Sequence, residues 1–328
     1  MPDDRFVTRA YQPGDERQIL ELFARCFPHA PRTREHFRWK YLNNSYGNAH
    51  ISLTFDEDRL VGHYAGYVVP VFEAGRDLVA HQIGYTMTDP SVRHVGRGPT
   101  SILARTALHF YTIFCDNKIA YNYGFNVSNI HRFSIRFLRA DRVEPVAYRH
   151  RVLPLKRISR ASRWIRGYRL ELVRDFDEEF DEFFARVAPA YEFLVRRDAR
   201  YLRWRYLECP EQGAFVVAIR KWSRLIGWSV FRIRERSILW GDALFDPDHT
   251  HAIDVLLRHV VPSYPVEKIE AWFPARPDWL AHALQNAGFV SAGEPQDLSL
   301  MCVPFVLRDA TDRMRQSLYY AMGDSDLF

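Results

Sequence analysis

Residues 86–98 read Thr86-Met87-Thr88-Asp89-Pro90-Ser91-Val92-Arg93-His94-Val95-Gly96-Arg97-Gly98, followed by Pro99. A strand-like stretch runs into Thr88, and an amphipathic one begins near Pro99, with Ile102, Leu103, Ala107, Phe110 and Ile113 on one side. The pattern predicts a strand, a glycine-containing turn and the N-terminus of a helix. Such a turn presents successive backbone N–H groups to an anion, and the helix dipole adds partial positive charge at the same place. Gly96 and Gly98 permit positive φ and close approach, while Pro99 at the first helical position gives up only an N–H that lacks an intrahelical partner. A pyrophosphate suits this arrangement. A dinucleotide fold would put its glycines after the first strand, with an acidic residue about 20 positions on. This loop follows several strands, which argues against that fold.

Outward from the loop, the chain repeats itself. Phe37-Arg38-Trp39-Lys40-Tyr41 recurs as Leu202-Arg203-Trp204-Arg205-Tyr206, and Arg59-Leu60-Val61-Gly62 recurs as Arg224-Leu225-Ile226-Gly227, both at an offset of 165. Strand-like alternation follows in each copy, at 50–55 and 60–71, then at 214–219 and 225–233. Another strand ends in Asp89-Pro90 and in Asp246-Pro247, now at an offset of 157 because the first hairpin is longer. Helix, strand and helix come next, at 99–114, 119–125 and 129–138 in the first copy and at 252–260, 268–273 and 277–286 in the second. Each half is an α/β (α+β) unit with a mainly antiparallel, mixed sheet flanked by helices. We place the boundary near residue 155, giving expected domains at 1–155 and 156–328. Between them Arg157, Arg160, Arg163, Arg166 and Arg169 recur at every third position, which reads as a solvated face or as a contact for anionic lipid or polymer.

Bulk properties fit two folded domains. The 328 residues are 47% hydrophobic and 26% charged, enough for a core without disulfide support. Cys26, Cys115, Cys209 and Cys302 lie far apart, so the sequence predicts reduced thiols and no metal site. The first residues carry no signal-peptide pattern and no stretch approaches the ~18 apolar residues of a transmembrane segment, so a cytoplasmic, soluble protein is expected. A net charge of +5 suits an anionic partner without choosing one. No zinc spacing, aromatic RNA platform or compact basic arm is visible, and no nucleic acid is expected as partner.

The segment TMTDPSVRHVGRG resembles the acyl-CoA loop of the GNAT (Gcn5-related N-acetyltransferase) superfamily, Arg/Gln-x-x-Gly-x-Gly/Ala after a strand, and the resemblance extends over most of residues 5–150. It implies that Arg93, His94, Val95, Gly96, Arg97 and Gly98 hold the cofactor pyrophosphate, that pantetheine lies along residues 83–88, and that amides near Thr86, Met87 and Thr88 polarise the thioester carbonyl. The later YNYGFNVSNIHRFSIRFLRADRV resembles the second cofactor strand and closing helix, with Asn126 and Asn129 at the cofactor. The implied co-substrate is acetyl-CoA or another acyl-CoA, without a metal. In the second copy Asp246-Pro247-Asp248-His249-Thr250-His251 has no glycine where Gly96 and Gly98 stand, and Asp248 would repel phosphate. That half is expected to keep the fold and to have lost CoA binding. Tandem arrangements of this kind resemble N-myristoyltransferases, aminoglycoside-acetylating survival proteins, Fem-type transferases and acyltransferases of surface-polysaccharide loci.

Amine acyl transfer needs a neutral amine, a polarised carbonyl and a proton for the departing thiolate. The position where some family members carry a Glu or His base is Gln82 here, which cannot take a proton. His81 is adjacent, but alternation turns it to the other face unless a bulge intervenes. The frequent tyrosine acid falls at Phe137; Tyr85, Tyr121 and Tyr123 stand on neighbouring strands as substitutes. Some tandem members use their C-terminal carboxylate as the base, and this chain ends Gly323-Asp324-Ser325-Asp326-Leu327-Phe328, so a tail docked at the acyl site with Asp324, Asp326 or Phe328 near the amine is expected. The repeated segment from Phe37 to Tyr41 reads as core packing or as an acceptor wall. The expected reaction is acyl transfer from acyl-CoA to a primary amine of a small molecule or amino sugar. The alternatives are a Fem-like aminoacyl-tRNA-dependent transferase and a non-catalytic acyl-CoA sensor. Oligomeric state is not legible in the sequence.

Overall fold

The computed structural model describes residues 5–47, 49–157, 159, 167–211 and 213–328; Arg160, Arg163 and Arg166 of the interlobe arginine series lie outside them. Two compact units share the chain. The first comprises Met1–Pro70, Leu78–Glu144 and Leu298–Arg313, and the second Val71–Asp77, Pro145–Asp297 and Met314–Phe328. These units interleave segments from both sides of residue 155 and are not two consecutive halves.

In the first unit the strands are β1 (Phe6–Ala10), β2 (His50–Asp56), β3 (Arg59–Glu73), β4 (Arg76–Thr88), β5 (Tyr121–Val127) and β6 (Asp141–Pro145). Among the described residues eight further strands intervene in the chain before β15 (Leu298–Pro304) joins them. The sheet order is β1-β2-β3-β4-β5-β15-β6. The β1/β2 and β2/β3 pairs are antiparallel, β4 and β5 are parallel, and β15 runs antiparallel to β5 from Leu298↔Val127 to Pro304↔Tyr121. The helices are α1 (Glu16–Cys26), α2 (Arg34–Phe37), α3 (Ile102–Phe110) and α4 (Ser128–Phe137). The core packs Tyr64 of β3 on Ala107, Phe110 and Tyr111, and Met301 and Phe305 from the β15 segment join the same cluster. Burying these apolar groups is what recruits a distant strand: it shields an edge of β5 that would otherwise stay unpaired.

The second unit holds β7 (Tyr148–Val152), β8 (Tyr168–Val173), β9 (Phe193–Val195), β10 (Ala214–Lys221), β11 (Arg224–Arg234), β12 (Ser237–Phe245), β13 (Lys268–Trp272), β14 (Val290–Ala292) and β16 (Leu318–Tyr319). Its sheet order is β14-β7-β13-β12-β11-β10-β8, with β12 parallel to β13. Short β9 pairs with β16 and with Val71–Glu73. The helices are α5 (Glu178–Val187), α6 (Ala199–Leu202), α7 (Ala252–Val260), α8 (Asp278–Asn286) and α9 (Ala310–Ser317), whose last residues belong here. Trp204, Trp228 and Trp240 are its largest buried apolar side chains.

The two repeated segments adopt one local structure. Each follows a short helix capped by an oxygen, Thr33 in one and Asp198 in the other, and each forms a π-turn, at Arg38–Leu42 and Arg203–Leu207. Trp39, Lys40 and Tyr41 are buried, as are Trp204, Arg205 and Tyr206, so the segment is a packing element in both places. Asp89 and Asp246 also act alike. Asp89 accepts from the Ser91 amide and pairs with Arg25 at 2.7 Å and Arg59 at 2.9 Å; Asp246 accepts from the Asp248 amide and pairs with Arg186 and Arg224. Against its desolvation, the hydrogen bonds from the Ser91 hydroxyl and amide, and after them the two arginines, hold the Asp89 carboxyl well below the usual carboxylate range.

Candidate functional site

The 13-residue strand β4 is not regular: Tyr85, three residues before its end, takes φ +54°. A bulky residue in the left-handed region costs roughly 1–2 kcal/mol, so the surroundings must hold it there. They do so on both sides of the peptide. Tyr41 Oη donates to Gly84 O at 3.3 Å, and His63 Nδ1 lies 2.6 Å from Tyr85 O. The Tyr85 ring packs edge-on against Phe23 at 4.9 Å, its hydroxyl lies 3.3 Å from the His36 imidazole, and Lys40 Nζ stands 3.6 Å from the ring centroid.

Beside this kink β4 and β5 separate. Their pairing consists of His81↔Asn122 and Gln82↔Tyr123, after which the parallel strands part. Gly124 lies just past the last pair, where an added Cβ would stand 3.3 Å from Ile83 O. A wedge between parallel strands exposes the backbone edges on which an extended chain can pair.

The glycine loop begins where β4 ends. Arg93 Nε donates to Thr88 O, and Val92 and Val95 close turns on the carbonyls of Asp89 and Val92. Pro99 sits in a 3₁₀ turn, Gly98–Thr100, and α3 starts at Ile102 with Ser101 as its cap, accepting from the Ala104 amide; the helix thus begins three residues later than the periodicity implied. The amides of Val95, Arg97, Thr100 and Ser101 are bonded within the loop. Those of His94, Gly96 and Gly98 form no hydrogen bond with any described residue, and His94 and Gly96 are exposed. Gly96 takes φ +68°, and a Cβ there would lie 2.3 Å from Thr100 O. Gly98 takes φ +56°, with the Phe137 ring of α4 2.8 Å from its would-be Cβ, so the closing helix packs directly on the loop. Exposed, unpartnered amides at successive turns ahead of a helix are the donor set a diphosphate needs, and these residues fit that group.

The remaining residues singled out from sequence fall in different places. Thr86 is exposed and Met87 buried on the last stretch of β4. Tyr123 is buried on β5 beside Tyr121. Asn126 holds α4 through its carbonyl, which accepts from His131 Nε2 at 2.7 Å; the Asn129 side chain lies outside what is described. Gln82 is buried and its Oε1 has no partner among the described residues.

Two expectations are corrected. His81 points to the α3 face of the sheet, where its Nδ1 donates to Asn122 Oδ1 at 3.0 Å and its Nε2 lies 2.7 Å from His50 Nδ1. Burial, with His50 beside it, lowers its pKa to about 3, so it is no base for an amine. The C-terminal tail docks in the second unit. Arg205 donates to Gly323 O, Ser325 O and Phe328 O, at 3.0, 3.0 and 2.9 Å, and the Phe328 ring rests on Gly241, where a Cβ would be 1.9 Å away. Asp324 pairs with fully buried Arg197 at 2.7 Å, and Asp242 meets the same guanidinium at 2.9 Å. At the offset of 157, Gly241 and Asp242 are the counterparts of Gly84 and Tyr85. His63 was missed from sequence; only its place in a repeat-flanked strand marked it, and a lone strand histidine carries no signal of its own.

Residues 7–135 match the family model of the acetyltransferase (GNAT) domain. No curated protein matches the sequence. Among solved structures, a conserved protein of Enterococcus faecalis V583 described as a probable N-acyltransferase has TM-score 0.68 over 92% of this chain and 73% of its own, at 14% identity. A GCN5-related N-acetyltransferase of Anabaena variabilis ATCC 29413 has TM-score 0.68 over 91% and 72%, at 13% identity. Saccharomyces cerevisiae N-myristoyltransferase with bound myristoyl-CoA has TM-score 0.57 over 92% and 79%, at 11% identity. Such identities establish the fold, two mainly antiparallel sheets flanked by helices. With an acetyltransferase (GNAT) domain over residues 7–135, the chain is an acyltransferase.

Proposed function

We propose that the chain transfers an acyl group, in the first place acetyl, from acyl-CoA to the primary amine of a small molecule or amino sugar. The observation that carries this reading is the coincidence of two features at the end of β4. The strand parts from β5 after two residue pairs, and the loop that follows leaves the His94, Gly96 and Gly98 amides without a partner among the described residues. In this reading those amides and Arg93, Val95 and Arg97 hold the diphosphate, and the edge from Thr86 to Thr88 lines the pantetheine arm. The acyl-CoA supplies the activated carbonyl. Thr86 and Met87 donate backbone hydrogens toward developing negative charge, and Tyr123 or Tyr85 supplies a proton to the leaving thiolate and recovers the one that the attacking nitrogen gives up, so the amine proton ends on the CoA thiol. Gln82, whose acceptor oxygen has no partner among the described residues and lies on the Tyr123 face of the sheet, orients the amine by accepting a hydrogen bond from it. The second repeat, residues 156–328, is on this reading a degenerate lobe: its β12 also runs parallel to β13, but the counterpart of the β4 kink is covered by the chain's own tail.

The test is calorimetric titration with acetyl-CoA and longer acyl-CoAs, followed by a thiol-release screen over amines. Binding with thiol release that depends on an amine is expected. An absence of binding by Gly96-containing parent protein ends the reading, and binding without thiol release leaves a sensor in its place.

A further inference from the structure

On β3 the neighbours of His63 both turn toward α3: a Cβ on Gly62 would meet Ile102 and Thr106, and the Tyr64 ring packs on Phe110 and Tyr111. His63 therefore projects from the opposite face, where its ring lies 6.3 Å from that of Tyr41. It is fully buried. Its Nδ1 is 2.6 Å from Tyr85 O, and a carbonyl only accepts, so Nδ1 carries the hydrogen and Nε2 is bare. Nε2 has no partner among the described residues. Desolvation keeps the ring neutral, lowering its pKa to about 4 despite the bond to Tyr85, with Lys40 acting in the same direction as burial.

The Tyr85 carbonyl and the Thr86 N–H belong to one planar, trans peptide unit, and point to opposite sides of it. Whatever fixes the oxygen therefore aims the N–H. A left-handed residue rotates this peptide out of the ladder direction, and a strand left to itself relaxes to the extended conformation. We propose that His63 is a positioning residue for acyl transfer: by gripping Tyr85 O it locks the Tyr85–Thr86 peptide plane and directs the Thr86 N–H at the acyl carbonyl. The proposal rests on the acyl-transfer reading. It assigns to Nε2 no contact with substrate, which agrees with its burial.

Asparagine places an amide N–H where His63 Nδ1 stands, whereas glutamine reaches the position of Nε2, so H63N and H63Q separate the two ring nitrogens. The full chain and its H63A, H63N and H63Q variants are compared by thiol release from acetyl-CoA with the amine found in the screen, and by titration with acetyl-CoA alone. H63A and H63Q are expected to lose on the order of 10²-fold in kcat, as for removal or misplacement of one donor to a developing oxyanion. Their Kd for acetyl-CoA should stay within about threefold, and H63N should retain most of the parent kcat, since the diphosphate loop is untouched. Activity in H63Q with loss in H63N overturns the proposal, as do equal losses in all three variants or none in any. Nitrogen-15 spectra of the histidines read the clamp without turnover: a protonated Nε2 and bare Nδ1 at His63 overturn it. A parent chain that binds acetyl-CoA and releases no thiol with any amine overturns the acyl-transfer reading itself, and the inference with it.

Discussion

Replacing Gly96 by alanine tests the loop with a magnitude that follows from its geometry. Two costs combine. An L-residue at φ +68° costs about 1–2 kcal/mol relative to glycine. The new Cβ would also stand 2.3 Å from Thr100 O and 2.8 Å from Thr100 C, both backbone, so the Gly98–Ser101 turn must retreat by about 1 Å to reach ordinary contact distance. Gly14→Ala is the control, because Gly14 has φ +107° with nothing within 4 Å of its would-be Cβ and carries the conformational cost alone. Both variants should lower Tm by a few degrees, at roughly 2–4 °C per kcal/mol for a unit of this size. They should differ in acetyl-CoA titration. Gly14→Ala should bind as the parent does, whereas Gly96→Ala should weaken Kd at least tenfold, about 1.4 kcal/mol, which is the loss of a single well-placed hydrogen bond to a charged group. A Gly96→Ala protein with lowered Tm and unchanged Kd would show that the loop holds no diphosphate.

Three further outcomes follow from the structure. Asp324→Ala leaves buried Arg197 with one of its two carboxylates, and should destabilise the second unit by about 3–5 kcal/mol in urea unfolding; a change under 1 kcal/mol would mean that the tail is not anchored there. Gly241→Ala displaces the Phe328 ring from its seat, so carboxypeptidase should trim the variant faster than the parent, and equal rates would contradict the docked tail. His63 and His81 have folded pKa values of about 4 and about 3, below the ordinary 6.5, so their neutral burial stabilises fully above pH ~6.5 and that contribution is lost as pH falls toward those values. Stability should drop between pH 6.5 and 4.5, and His63→Asn should flatten the drop by up to about 3 kcal/mol; an unaltered slope would refute the burial argument.

The sequence by itself determined the local and the periodic. The offset of 165 between two aromatic-basic segments and two hairpins, and the glycine turn between strand and helix, are readable because each motif is made of residues a few positions apart. Tertiary structure alone decided which strands share a sheet: residues 298–304 complete the first, and residues 148–152 enter the second. Period-two alternation says which face of a strand is buried, but not which distant edge it will pair with. The same limit hid the tail and His63. Phe328 finds its place through a glycine on β12 and a guanidinium 123 residues away, and His63 through a carbonyl 22 residues on whose left-handed conformation no residue type announced. Those contacts are set by non-local packing and by the requirement that buried polar groups find partners, which act only once the chain has folded.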